Sequence, residues 1–158
     1  MKTELLLLFI VFATSTFAQH SNEKVRIDSL VSKIDRLSKF YSAHEGLEIK
    51  LADTSYQTLS DIYYKYADAK GKNLVMVDVR TLGINDTTFS TYYFHNQKLI
   101  KVFIQPLKND SSSNVEIYFS TNKVIYQLPK RTDSLKYLNQ AKYYISFKAH
   151  TYTPNFIN

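Results

Sequence analysis

Four histidines (His20, His44, His95 and His150) and three acids set among apolar residues (Asp61, Asp78 and Glu116) are the side chains best suited to chemistry. Histidine is the common metal ligand and acid–base group, and two of them at i, i+4 on one helix make half a zinc site. None of the four stands at that spacing, and there is no cysteine to join them. Two carboxylates flanking a glycosidic bond hydrolyse it, but the spacing of Asp61, Asp78 and Glu116 fixes no separation. There is no G-x-S-x-G elbow, and 3 glycines are too few for a phosphate-cradling loop. The expectation is a protein that is not an enzyme, with no catalytic residue, no metal site and no cofactor.

The enrichment is aromatic, with 13 Tyr and 10 Phe. Tyrosine beside lysine binds peptides, sugar rings or acyl surfaces by stacking and hydrogen bonding. Tyr63, Tyr92, Lys101 and Tyr118 are the candidate binding surface on this reading, and Tyr143 also points away from the expected core. The competing reading is structural, because tyrosine pairs well across strands.

Such residues need an address and a scaffold. Lys2, the apolar run Leu5 to Ala13 and the small-x-small site Thr16-Phe17-Ala18 have the layout of a secretory signal peptide cleaved after Ala18. The apolar run is too short for the ~20 residues of a spanning helix, so no stable membrane insertion is expected after cleavage. Residues 19–158 then form a single domain of about 140 residues, long enough for a core without staples. An exported chain with no cysteine fits a bacterial envelope better than an animal secretion, and predicts a secreted or periplasmic location. The net charge of +6 suits anionic polymers or membrane surfaces, or is a solvated basic face. Nucleic acid is not an expected partner, because export carries the chain away from it.

The apolar periodicity predicts two helices and a sheet. Ile27, Leu30, Ile34, Leu37 and Tyr41 recur at spacings of three and four, predicting a helix over 22–43 that His44 closes and Gly46 ends. Leu47, Ile49 and Leu51 alternate as a short strand, and Asp53-Thr54-Ser55 reads as a turn. Residues 56–68 fit a helix or a strand, with the tyrosines favouring strand. A tight turn at Asn96-Gln97 would place Tyr93, Thr91 and Phe89 opposite Ile100, Val102 and Ile104. Val75, Val77 and Val79 match the same three residues across a loop at 82–86. A second turn at Thr121-Asn122 pairs Phe119, Ile117 and Val115 with Val124, Tyr126 and Leu128. Segment 108–114 is a polar loop, and Pro129 ends the last strand. Leu135, Leu138, Ala141 and Ile145 predict a helix over 133–147, capped by Thr132 or Asp133. The sum is an α+β fold: an antiparallel meander of five to six strands with terminal helices covering one face.

The hairpin phrase Tyr92-Tyr93-Phe94-His95-Asn96-Gln97-Lys98-Leu99-Ile100 has a looser echo in 117–125. With the leader and the early amphipathic helix, it resembles small uncharacterised exported proteins of Gram-negative bacteria. The resemblance spans residues 24–145 and implies no site residue. The expected role is a non-enzymatic binding or accessory protein of the cell envelope, its partner an envelope protein, peptide or glycan. The alternative is an inhibitor or partner-blocking protein acting through loop 82–86, turn 95–98 and loop 108–114 at the sheet edge.

Overall fold

The computed structural model describes residues 21–37, 39–50, 57–82, 87–106, 114–129, 133–147 and 153–156, with the side chains of 47–50, 57–59 and 153–156 left aside. The first element is a helix, α1, over 21–35. Strands β1 (Lys39–Lys50), β2 (Gln57–Tyr66), β3 (Leu74–Leu82), β4 (Thr87–His95), β5 (Lys98–Pro106), β6 (Val115–Ser120) and β7 (Lys123–Leu128) follow. Helix α2 (Ser134–Ser146) and a short β8 (Thr153–Phe156) complete the order. All described strand pairs are antiparallel, and the sheet runs β7-β6-β5-β4-β3-β2-β1-β8. The α+β class is as expected, but the meander has seven strands rather than five to six, and β8 is laid outside β1.

The helix expected over 22–43 ends at 35. Leu37 N–H bonds the Ile34 carbonyl at 3.1 Å, and the chain then turns into β1. Phe40 and Tyr41 favour a pleated surface, and Tyr41 finds Tyr66 on one side and Pro154 on the other. Those two ladders outweigh the continued helical spacing of Leu37 and Tyr41. His44 and Gly46, read as the end of the helix, therefore lie mid-strand opposite Tyr63 and Asp61. Within 56–68, residues Gln57–Tyr66 form β2, as the tyrosines suggested. The 67–73 turn is held by Asp68, whose carboxylate accepts Lys70 N–H at 2.9 Å and Asn73 N–H at 2.6 Å, with Gly71 at φ 62. The expected leader, turn 53–55 and most of loops 82–86 and 108–114 lie outside the described residues.

Both expected tight turns are present. Asn96, Gln97, Thr121 and Asn122 have φ of 51, 59, 50 and 62, the left-handed pair that two-residue hairpins require. The register beyond them differs from expectation by one residue. Phe94 pairs with Leu99, but Tyr93 pairs with Lys101, so Ile100 is an extra residue. Phe119 pairs with Val124, but Tyr118 pairs with Tyr126, so Ile125 is extra in the same way. A one-residue slip exchanges the two faces of everything beyond it. Tyr92, Val102 and Ile117 are thus buried on one face, whereas Phe89, expected in the core, is 40% exposed on the other. In β3, Val77 and Val79 oppose Tyr92 and Ser90, not Thr91 and Phe89.

The helices cover opposite faces, not one. Ala141 and Tyr144 of α2 close over Ile62, Tyr64, Val77, Tyr92, Val102, Ile117 and Phe119. Asp133, as expected, caps α2 by accepting Leu135 and Lys136 N–H. Ile27 and Val31 of α1 pack on Ile100 and Tyr118 on the other face. The two bulges explain this arrangement. Leu99 and Ile100 are adjacent, yet both are buried, because each feeds a different face.

Candidate binding face

The four candidate residues do not gather on one surface. Tyr92 lies on the α2 face, 2% exposed, its hydroxyl donating to Gln140 Oε1 at 2.7 Å and its ring edge-on to Tyr144 at 4.9 Å. Burial pushes its pKa upward. Tyr118 lies on the α1 face but beneath the helix, 1% exposed, donating to Asp28 Oδ1 at 2.7 Å. Lys24 and Lys101 stand over its ring at 4.5 and 4.6 Å. Lys101 also reaches Asp28 at 3.5 Å and Glu116 at 3.6 Å. Tyr118 and Lys101 thus fasten α1 to the sheet, and Tyr92 fastens α2. Tyr143, exposed on α2, donates to Glu45 Oε1, and the other Glu45 oxygen accepts from Tyr64, both at 2.8 Å.

Tyr63 alone among the four is open, at 47% exposure. Its surroundings follow from where α1 stops. Contacts of α1 run from Ser120, bonded to Glu23 at 3.1 Å, through Tyr118 and Lys101 to Tyr93, which packs against the Ile27 and Val31 cluster. These positions lie toward the end of the sheet that carries the turns at 67–73, 96–97 and 121–122. Opposed residues of paired strands share a face. The ladders His44–Tyr63–Asp78–Thr91 and Asp61–Arg80–Phe89 therefore occupy the half of that face beyond the helix.

This half is built of rings and paired charges. The His44 imidazole lies 4.6 Å from the Tyr63 ring, tilted by 31°, and its Nε2 stands 3.5 Å from Asp61 Oδ1. Asp78 takes Lys65 Nζ at 2.8 Å and the Thr91 hydroxyl at 2.9 Å. The Arg80 guanidinium sits 5.8 Å over the Phe89 ring. Strand spacing and rise put Tyr63 and Phe89 roughly 12 Å apart. Two open rings with carboxylate and guanidinium edges between them, and an imidazole beyond Tyr63, offer apolar faces and hydrogen bonds together. Arg80 escaped the sequence reading, Phe89 was expected in the core, and His44 and Asp61 were named for chemistry but not placed beside Tyr63. The signal was present: the adjacent apolar pairs Leu99-Ile100 and Val124-Ile125 after two-residue turns mark the bulges that turn Phe89 outward.

Among the described residues, no three of His, Cys, Asp and Glu gather in a way that would hold a metal ion. His95 stands beside its hairpin turn, whereas His20 and His150 lie outside the described residues. Among the described residues, no helix is long and apolar enough to cross a membrane. No protein-family model matches the chain, and no curated protein or solved structure matches it.

Proposed function

We propose that this is an exported, non-enzymatic binding or accessory protein of the bacterial cell envelope, and that its contact surface is the open half of the α1 face. The observation carrying this reading is the pair of large rings, Tyr63 and Phe89, left 47% and 40% exposed on one face among hydrogen-bonding charges. Single exposed apolar side chains are ordinary, but two on one sheet face with polar edges between them suit a ligand that needs both. A sugar polymer is such a ligand: its ring faces are apolar and its rim is hydroxyl. Arg80 and Asp61 supply a donor fork and an acceptor for those hydroxyls. The leader supports export, and the charge of +6 favours the acidic surface of an envelope.

The test is co-sedimentation of the mature protein with purified cell-wall glycan. Tyr63→Ala and Phe89→Ala should each weaken retention about tenfold, the usual loss for a central aromatic contact. Because both rings are open, neither change should alter stability by more than about 0.5 kcal/mol. Retention equal to wild type in both variants would contradict the assignment. Export is checked separately: the mature chain should begin at Gln19.

A further inference from the structure

We propose that the cavity between the end of α1 and strands β1–β3 is a binding site for a small neutral phenol. The cavity measures about 200 Å³. Its walls are Ile34 and Leu37 from the end of α1 and the turn after it, Phe40 from β1, and Val75 and Met76 from β3. The register creates it. Tyr66 pairs with Leu74 but Lys65 with Met76, so Val75 is an extra residue that bends β3 just where α1 ends and no further helical turn fills the space.

Size, walls and polar edges each narrow the ligand. An apolar cavity of about 150 Å³ holds one benzene ring, so this one takes a ring with a small substituent. The Phe40 ring and the Met76 thioether favour an aromatic guest over a saturated one. Two charged groups complete the lining, Lys65 and Asp35. Lys65 Nζ is paired with Asp78 at 2.8 Å, and its other contact is the Met76 sulfur at 3.9 Å, a weak acceptor that a ligand oxygen would displace. It also stands 5.3 Å over the Phe40 ring. Asp35 offers its carboxylate oxygens as acceptors. An anionic ligand would meet Asp35 and a cationic one Lys65, so a neutral group is favoured. One donor and one acceptor on otherwise apolar walls match a hydroxyl on a ring.

The experiment titrates the mature protein with p-cresol and follows the methyl resonances of Met76 and Val75. Saturable shifts at both are expected, with toluene at least fivefold weaker. No saturable shift, or toluene and p-cresol binding equally, would overturn the proposal. Lys65→Met should collapse the preference for p-cresol over toluene, and a preference unchanged in that variant overturns the hydroxyl assignment. Val75→Phe, or Ile34→Phe from the opposite wall, should fill the site and abolish the shifts at the remaining reporter. N-acetyltyrosinamide separates the two sources of this chemistry. Binding as strong as that of p-cresol assigns the cavity to a tyrosine tip of another chain, and weaker binding assigns it to free phenols.

Discussion

At the scale of single residues, two carboxylates hold the helices to the sheet, and each has a measurable signature. Glu45 on β1 accepts the hydroxyls of Tyr64, from the neighbouring strand, and Tyr143, from α2. Tyr64 is fully buried, so truncating its acceptor strands a phenol. Glu45→Ala should cost about 1–3 kcal/mol by urea unfolding, and Glu45→Gln, which keeps an acceptor, clearly less. Burial works against the charge of Asp28, but hydrogen bonds from Lys24 and Tyr118 and the charges of Lys101 and Lys24 hold its pKa below the usual carboxylate range. With a depressed native pKa, the unfolded chain takes up the proton first as pH falls. The stabilisation is therefore complete above the unfolded value of about 3.9 and is lost as pH falls through the lower native one. The gap in melting temperature between wild type and Asp28→Asn should be widest at neutral pH and close in acid. A gap that persists unchanged to about pH 2 would contradict this role. The partnerships of Glu45, and those of Asp28 with Tyr118 and Lys101, were not legible in the sequence, because each joins residues far apart in the chain.

At the scale of elements, α1 packs on a smaller buried apolar cluster than α2 does. Ile27 is fully buried against Ile100 and Tyr118, and most of its other fastenings are polar. Ile27→Ala should cost about 2–4 kcal/mol. Hydrogen exchange should show the amides of 21–35 opening first, while those of β2 to β4 beneath α2 stay protected. Uniform loss of protection would mean that α1 is integral to one cooperative unit. The elements were the legible part of the sequence: both hairpin turns, strand 57–66 and α2 with its Asp133 cap follow from local chemistry. Two things were not. The helical spacing through Leu37 and Tyr41 is real, but strand pairing on both sides of Tyr41 overrules it. The bulges at Ile100 and Ile125 leave a trace in the adjacent apolar pairs Leu99-Ile100 and Val124-Ile125, but that trace marks a bulge only once α1 and α2 cover opposite faces, and both were expected on one. That single omission moved Tyr92 into the core and Phe89 out of it.

At the scale of the whole molecule, a sheet with α2 packed on one face and α1 over half of the other has two consequences. The first is alkaline lability. Burial pushes Tyr144 up to about 12, and Tyr64, Tyr92 and Tyr118 are driven upward by the same cause. Raised native values mean that the unfolded chain gives up these protons first, so stability is full below about pH 10 and falls as pH rises above it. The buried phenols should ionise in one step with loss of the sheet's circular dichroism, not in a gradual titration of an intact fold. The second consequence is an open half-face bearing Tyr63 and Phe89, and the proposed role in the cell envelope stands on that half-face being occupied. A photo-crosslinking residue placed at Phe89 tests this most directly, with Leu135 on the exposed side of α2 as the comparison. Crosslinked adducts from position 89 and none from position 135 are expected; adducts from 135 with none from 89 would contradict it.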